Sequence, residues 1–145
     1  VLGSETLMKE VLKVHLHNSI CVAVKSQYAA IEALDNCRHT PAEMNKAYME
    51  RRDYLYERLI EMGLDAIKPT GAFYMFPSIK NTNLTSFEFA KRLLEEEHVA
   101  VVPGSGFTEY GEGFIRISYA NSLENLKTGL DRMEQFVERI NQTIK

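Results

Sequence analysis

The chain has 145 residues, 45% of them hydrophobic and 26% charged, enough for one ordinary folded domain with a core. Its 17 basic and 20 acidic residues leave a net charge of −3, and the basic ones are scattered, so neither nucleic acid nor an anionic membrane suits it as a partner. No apolar run is long enough to span a membrane, no signal-peptide order opens the chain, and the two cysteines, Cys21 and Cys37, fit reduced thiols in a cytosolic protein.

The chain opens on Val1-Leu2-Gly3, an apolar stub without methionine that reads as the end of a strand, so the sequence is expected to be a piece of a longer protein. Ser4 caps a predicted helix to about His17, with Leu7, Met8, Val11 and Leu12 on one stripe. His15 and His17 lie two apart with nothing to complement them, which gives no zinc site. A second helix is predicted from Val24 to Leu34. Thr40, Pro41 and Glu43 then form a capping-box start for a helix running to Met62 and stopping at Gly63. Met44, Tyr48, Leu55, Leu59 and Met62 make its buried stripe, with Arg51, Arg52 and Asp53 facing water.

The period then changes to two. Leu64 to Lys68 and Ala72 to Phe76 read as strands on either side of the turn "PTG", where Gly71 is the residue expected at positive φ. Thr85 and Glu88 form a second capping box, opening a helix that ends near Glu97. His98 follows at the helix end, where the macrodipole favours a cation, and Glu95 to Glu97 read as solvated surface. "HVAVVPG" is a short buried strand, Phe114 to Tyr119 another, and Ser122 caps a final helix with Leu123, Leu126, Leu130, Met133, Phe136 or Val137, and Ile140 at helical spacing. The fold class is α/β, an α+β small domain with a short three- to four-stranded sheet covered by helices.

Four glycines crowd the run from Val101 to Ser118, yet the nucleotide motifs fail there. No lysine follows to make a P-loop, and Glu109 and Arg116 stand where a dinucleotide fingerprint needs its last glycine. Alternation in "FIRISY" sends Ile115, Ile117 and Tyr119 to one face and Phe114, Arg116 and Ser118 to the other. An arginine on a sheet needs a partner, because burying an unpaired cation is costly. Two partners fit its fork: an acidic residue of the chain, which spacing alone favours, or a small-molecule carboxylate. Tyr74 and Phe76 likewise read as core or as walls of a ligand cleft.

"KPTGAFYMFPSI", "VAVVPGSGFTEYGEGFIRISYA" and "LKTGLDRMEQFV" together resemble the C-terminal domain of class I, fold-type I aminotransferases, which use pyridoxal 5'-phosphate. The likeness covers essentially the whole chain. "LKVHLHNS" and "RRDYLYERLIEMGLD" are similar to the bacillus-type aromatic or N-acetyl-LL-diaminopimelate aminotransferases. The resemblance implies that Arg116 holds the substrate α-carboxylate, that Gly71 and Phe73 lie near the substrate entrance, and that Asn18 and Ser19 approach the site of a partner subunit in a cytoplasmic homodimer. Residues 1–20 would then be the tail of the cofactor-binding domain and 21–145 the small domain that closes over amino-acid and 2-oxo-acid substrates. The family's Schiff-base lysine sits in a Ser-x-x-Lys or Ser-Lys motif, and neither occurs in this chain. The chain alone is therefore expected to be inactive, with no catalytic, cofactor-binding or metal-binding residue of its own. The alternative is a free-standing module that binds a small carboxylate without chemistry.

Overall fold

The structure, a computed structural model, describes residues 2–19 and 21–144. It forms two compact units, residues 1–42 and 43–145. The expected strand end at the start includes Val1, which lies outside the described residues; Leu2 and Gly3 have no regular structure.

The first unit holds two helices, α1 (Glu5–Asn18) and α2 (Val24–Asn36). Ser4 caps α1 as expected, its Oγ accepting from the Leu7 amide at 3.4 Å, and Ser19 closes it through an amide donating to His15. Neither helix buries a residue. Met8 and Val11 are half-buried, and other apolar side chains stay exposed: Leu12 is 54% accessible, Val14 61% and Leu34 66%.

Helix α3 (Thr40–Glu61) begins one residue before the expected start. Thr40 is its first helical residue, and the Thr40 amide donates to the Cys37 carbonyl. It ends at Glu61, one residue before the expected Met62, and closes at Gly63 as expected. Gly63 takes φ +75°, and the Leu64 and Gly63 amides return to the Leu59 and Ile60 carbonyls, a Schellman closure that satisfies the last turn. Of the predicted stripe, Leu55, Leu59 and Met62 are buried, Tyr48 is half-buried, and Met44 is exposed because the core begins a turn later.

Three strands make the sheet: β1 (Tyr74–Met75), β2 (Val102–Pro103) and β3 (Ile115–Ser118). The order is β1-β3-β2, with both pairings antiparallel. The strand expected at Leu64–Lys68 does not form. Alternation prepared it for a ladder, but it has no partner strand: the Leu64 amide is used by the α3 cap, and the Asp65 carbonyl takes a single bond from Ser78.

Met75, Ile115, Ile117 and Tyr119 point from the sheet into one core with Leu55 and Leu59 of α3. Helix α4 (Ser86–Glu97) adds Phe89 and Leu93, and α5 (Leu123–Ile144) adds Leu126, Leu130, Met133, Phe136, Val137 and Ile140. Phe89 and Phe136 meet edge to face with ring centroids 5.2 Å apart, and both α5 positions 136 and 137 are buried. The Thr85–Glu88 capping box is complete, and Ser122 Oγ accepts from the Asn125 amide at the start of α5. Arg58 ties α3 to α5 through Asp131 at 2.8 Å and Glu134 at 2.9 Å. Within the second unit, α3, α4 and α5 therefore cover one face of the sheet and leave the other open.

Candidate functional site

The open face carries Tyr74, Phe76, Phe114, Arg116 and Ser118, because strand alternation opposes them to the buried Met75, Ile115 and Ile117. Tyr74 and Phe76 therefore stand on the Arg116 side of the sheet, not in the core, and are 36% and 39% exposed. Arg116 pairs in register with Val102 of β2. Among the described residues no carboxylate lies within ion-pair distance of Arg116 and no acceptor takes a hydrogen bond from its guanidinium, so the internal ion pair that spacing favoured is absent. What it meets is aromatic. Its guanidinium carbon lies 4.3 Å from the Tyr74 ring centroid and 4.6 Å from that of Phe107. The Phe107 contact was not legible in the sequence.

The glycine-rich segment sets the entry to β3. Gly104 and Gly111 pack backbone against backbone, so closely that a side chain at either would collide with the other's carbonyl. The Gly104 amide donates to the Phe114 carbonyl at 2.8 Å, two residues before Arg116. Ser86, fully buried at the start of α4, receives the Gly113 amide on Oγ at 2.8 Å, while the Glu112 carboxylate accepts from the Ser86 amide at 2.8 Å. That backbone hydrogen bond holds the Glu112 carboxyl below its ordinary value. The loop is thus pinned to the α4 N-terminus.

The turn before β1 is built differently from expectation. Gly71 is not at positive φ, and a methyl group there would meet nothing within 4 Å. The left-handed residue is Ala72, at φ +61°. Tyr119 imposes it: its hydroxyl donates to the Ala72 carbonyl at 3.0 Å and its amide to the Phe73 carbonyl at 3.0 Å. Burial raises the Tyr119 phenol above its ordinary value. A non-glycine residue in this region costs about 1–2 kcal/mol, and glycine's extra unfolded-state entropy costs about 0.4–1 kcal/mol, so Ala72→Gly is expected to stabilise the chain slightly. A higher urea midpoint checks this; a lower one would contradict the account.

Arg52 and Asp53, expected to face water, instead clasp this turn. Arg52 is only 19% exposed and grips Asp53 at 2.7 and 2.8 Å, while its Nη1 donates to the Pro69 carbonyl at 3.3 Å. Lys68 closes the set with Nζ 3.0 Å from Asp53. Hydrogen bonds from Lys68, then Arg52, lower the Asp53 carboxyl. The clasp's contribution is therefore complete above the ordinary aspartate range and fades as pH falls through the lowered folded value. Asp53→Asn is expected to lower the urea midpoint at neutral pH and to shrink its decline on acidification; an unchanged acid limb would refute the clasp.

Phe73, 40% exposed, stacks on Tyr48 at 6.2 Å and touches Tyr74 at 4.5 Å, so one ring separates it from Arg116. Gly71 lies beyond Ala72, lining a cavity of about 30 Å³ with Arg52 and Tyr119, room for one water. Asn18 ends α1 and Ser19 follows it, both in the first unit. His98 is the left-handed cap of α4, at φ +58°. Among the described residues no group of His, Cys, Asp and Glu could hold a metal ion, and no helix is long and apolar enough to cross a membrane.

The chain belongs to the family "Aminotransferase class I and II", whose sequence profile matches residues 1–133. It is 51% identical over 131 residues to a probable N-acetyl-LL-diaminopimelate aminotransferase of Bacillus subtilis, covering 90% of this chain and 33% of that protein. An aspartate aminotransferase of Pyrococcus abyssi is 48% identical, with 89% and 34% covered. The crystal structure of an aromatic aminotransferase from Pyrococcus horikoshii superposes with a TM-score of 0.84 at 45% identity, over 90% of this chain and 36% of that one. The chain spans about a third of the length of these relatives.

Proposed function

We propose that this chain is the substrate-closing part of a pyridoxal-phosphate aminotransferase and that Arg116 clamps the α-carboxylate shared by its amino-acid and 2-oxo-acid substrates. The observation that carries this is the guanidinium itself. It stands on the open sheet face against two aromatic rings, with no acidic partner among the described residues. A planar fork with free donors matches a carboxylate bidentately and fixes the substrate's orientation, which lowers a barrier by positioning alone. Gly71 and Phe73 lie on the approach to it. Residues 1–20 belong to the larger cofactor-binding domain and 21–145 to the small one; the enzyme is a cytoplasmic homodimer, and Asn18 and Ser19 approach the partner's site.

The surroundings of Arg116 do not fit the cofactor. Tyr74, Phe107 and the paired Val102, the neighbours Arg116 meets among the described residues, offer rings and an aliphatic side chain and themselves carry neither an amine to condense with an aldehyde nor a carboxylate to meet a pyridine nitrogen. In the full-length protein pyridoxal phosphate would be held by other residues and would supply the electron sink there. A free-standing carboxylate-binding module would use the same arginine, but the family match over residues 1–133 favours the aminotransferase reading. The test is Arg116→Lys in the full-length enzyme, which should weaken binding and turnover of every amino donor; unchanged activity would overturn the clamp.

A further inference from the structure

We infer that Tyr74 and Phe107 are positioning residues that hold the Arg116 guanidinium against two aromatic rings, leaving its N–H edge free for the substrate carboxylate. The inference rests on the carboxylate-clamp reading of Arg116 and adds to it what keeps the clamp in place.

The geometry has three parts. Both rings lie well inside cation–π distance of the guanidinium carbon, at 4.3 Å for Tyr74 and 4.6 Å for Phe107. The two rings make no contact with each other among the described residues, so each meets the guanidinium separately. Each ring is braced from elsewhere. Tyr74 is fixed in β1 opposite Ser118 and leans on Phe73; Phe107 packs edge to face on Phe76 at 6.3 Å, and its amide donates to the Gly104 carbonyl at 3.0 Å.

The chemistry follows from which part of arginine each partner uses. An acidic neighbour would hold the side chain still, but it would occupy the same N–H donors the substrate needs and compete with it. A ring face attracts the cation through its quadrupole and takes none of those donors. An arginine without any such restraint must lose its rotamer freedom when substrate arrives, which weakens binding. The two rings remove much of that freedom beforehand.

The test uses the full-length holoenzyme with L-glutamate, L-aspartate and L-phenylalanine as donors. Tyr74→Leu and Phe107→Leu should each raise KM by about 2- to 30-fold for every donor accepted, with kcat nearly unchanged, because ground state and transition state share the loss. Tyr74→Phe should keep the wild-type KM, since it keeps the ring; a matching melting curve shows that the leucine variants are folded. In an Arg116→Ala background the leucine substitutions should change nothing further. The inference is overturned if Arg116→Ala impairs the enzyme while both leucine variants leave KM alone, or if their effect persists undiminished without Arg116. If Arg116→Ala itself has no effect, the clamp reading fails and this inference falls with it.

Discussion

Arg116→Ala in the full-length enzyme is expected to lower kcat/KM by a similar factor for every amino donor and every 2-oxo acid acceptor. The size follows from the interaction removed. Truncating one partner of a desolvated, hydrogen-bonded charge pair costs about 2–5 kcal/mol, which is roughly a 30- to 5,000-fold loss at about 1.36 kcal/mol per decade. Uniformity across substrates is the informative part. The α-carboxylate is common to all of them, whereas a residue that reads the side chain would discriminate between L-aspartate and L-phenylalanine. Arg116→Lys should recover a minor share, because it restores the charge without the planar fork. Steady-state kinetics on three donors suffices. A loss confined to dicarboxylic substrates would move Arg116 from α-carboxylate binding to side-chain recognition, and no loss would remove it from the site.

The strength of that expectation comes from a feature only partly legible in the sequence. Alternation placed Arg116 opposite Ile115 and Ile117, and the structure agrees, since strand period depends only on local geometry. Whether an acidic residue reached Arg116 depended on how loops and helices come together, and there the spacing pointed the wrong way. The contact with Phe107 crosses the glycine-rich loop, whose two short 3-10 turns at Gly104–Gly106 and Glu109–Gly111 no periodicity could announce. Caps behaved in the opposite manner. Thr85 with Glu88, and Ser122, act where the sequence put them because their partners lie three residues away.

Arg52 shows a signal that was present and misread. It lies four residues after Tyr48 and three before Leu55, on the same stripe that the helix turns inward, so its phase outweighs its charge. Its long side chain reaches the Pro69 carbonyl and carries its own neutralising partner, Asp53. The turn at Gly71 errs for another reason. Residue type tells where left-handed backbone is cheapest, but the two bonds from Tyr119 decide where it occurs, and they fall on Ala72 and Phe73. The missing strand at Leu64–Lys68 has the same origin: a ladder needs a partner, and a single-strand pattern does not carry one.

Gly111→Ala is expected to be the most damaging single change to the fold around the site, and Gly106→Ala in the same loop to be nearly neutral. Neither glycine has a positive φ, so the contrast isolates space from backbone conformation. A methyl on Gly111 runs into the Gly104 carbonyl, and one on Gly104 also falls 2.7 Å from the Phe114 carbonyl. At Gly106 it meets nothing within 4 Å. Backbone on both sides leaves no flexible atom to yield, which places the cost at the upper end of overpacking, about 3 kcal/mol or more. Relief requires the two loop segments to part. That breaks the bond between the Gly104 amide and Phe114, disturbs the Val102–Arg116 pairing and loosens Ser86 from the Gly113 amide. The urea midpoint of the full-length enzyme should therefore fall for Gly111→Ala, and KM should rise for all donors alike, because the arginine and Phe107 move with the loop. Equal midpoints for the two variants would mean that the loop opens without cost and that Arg116 is held by its strand alone.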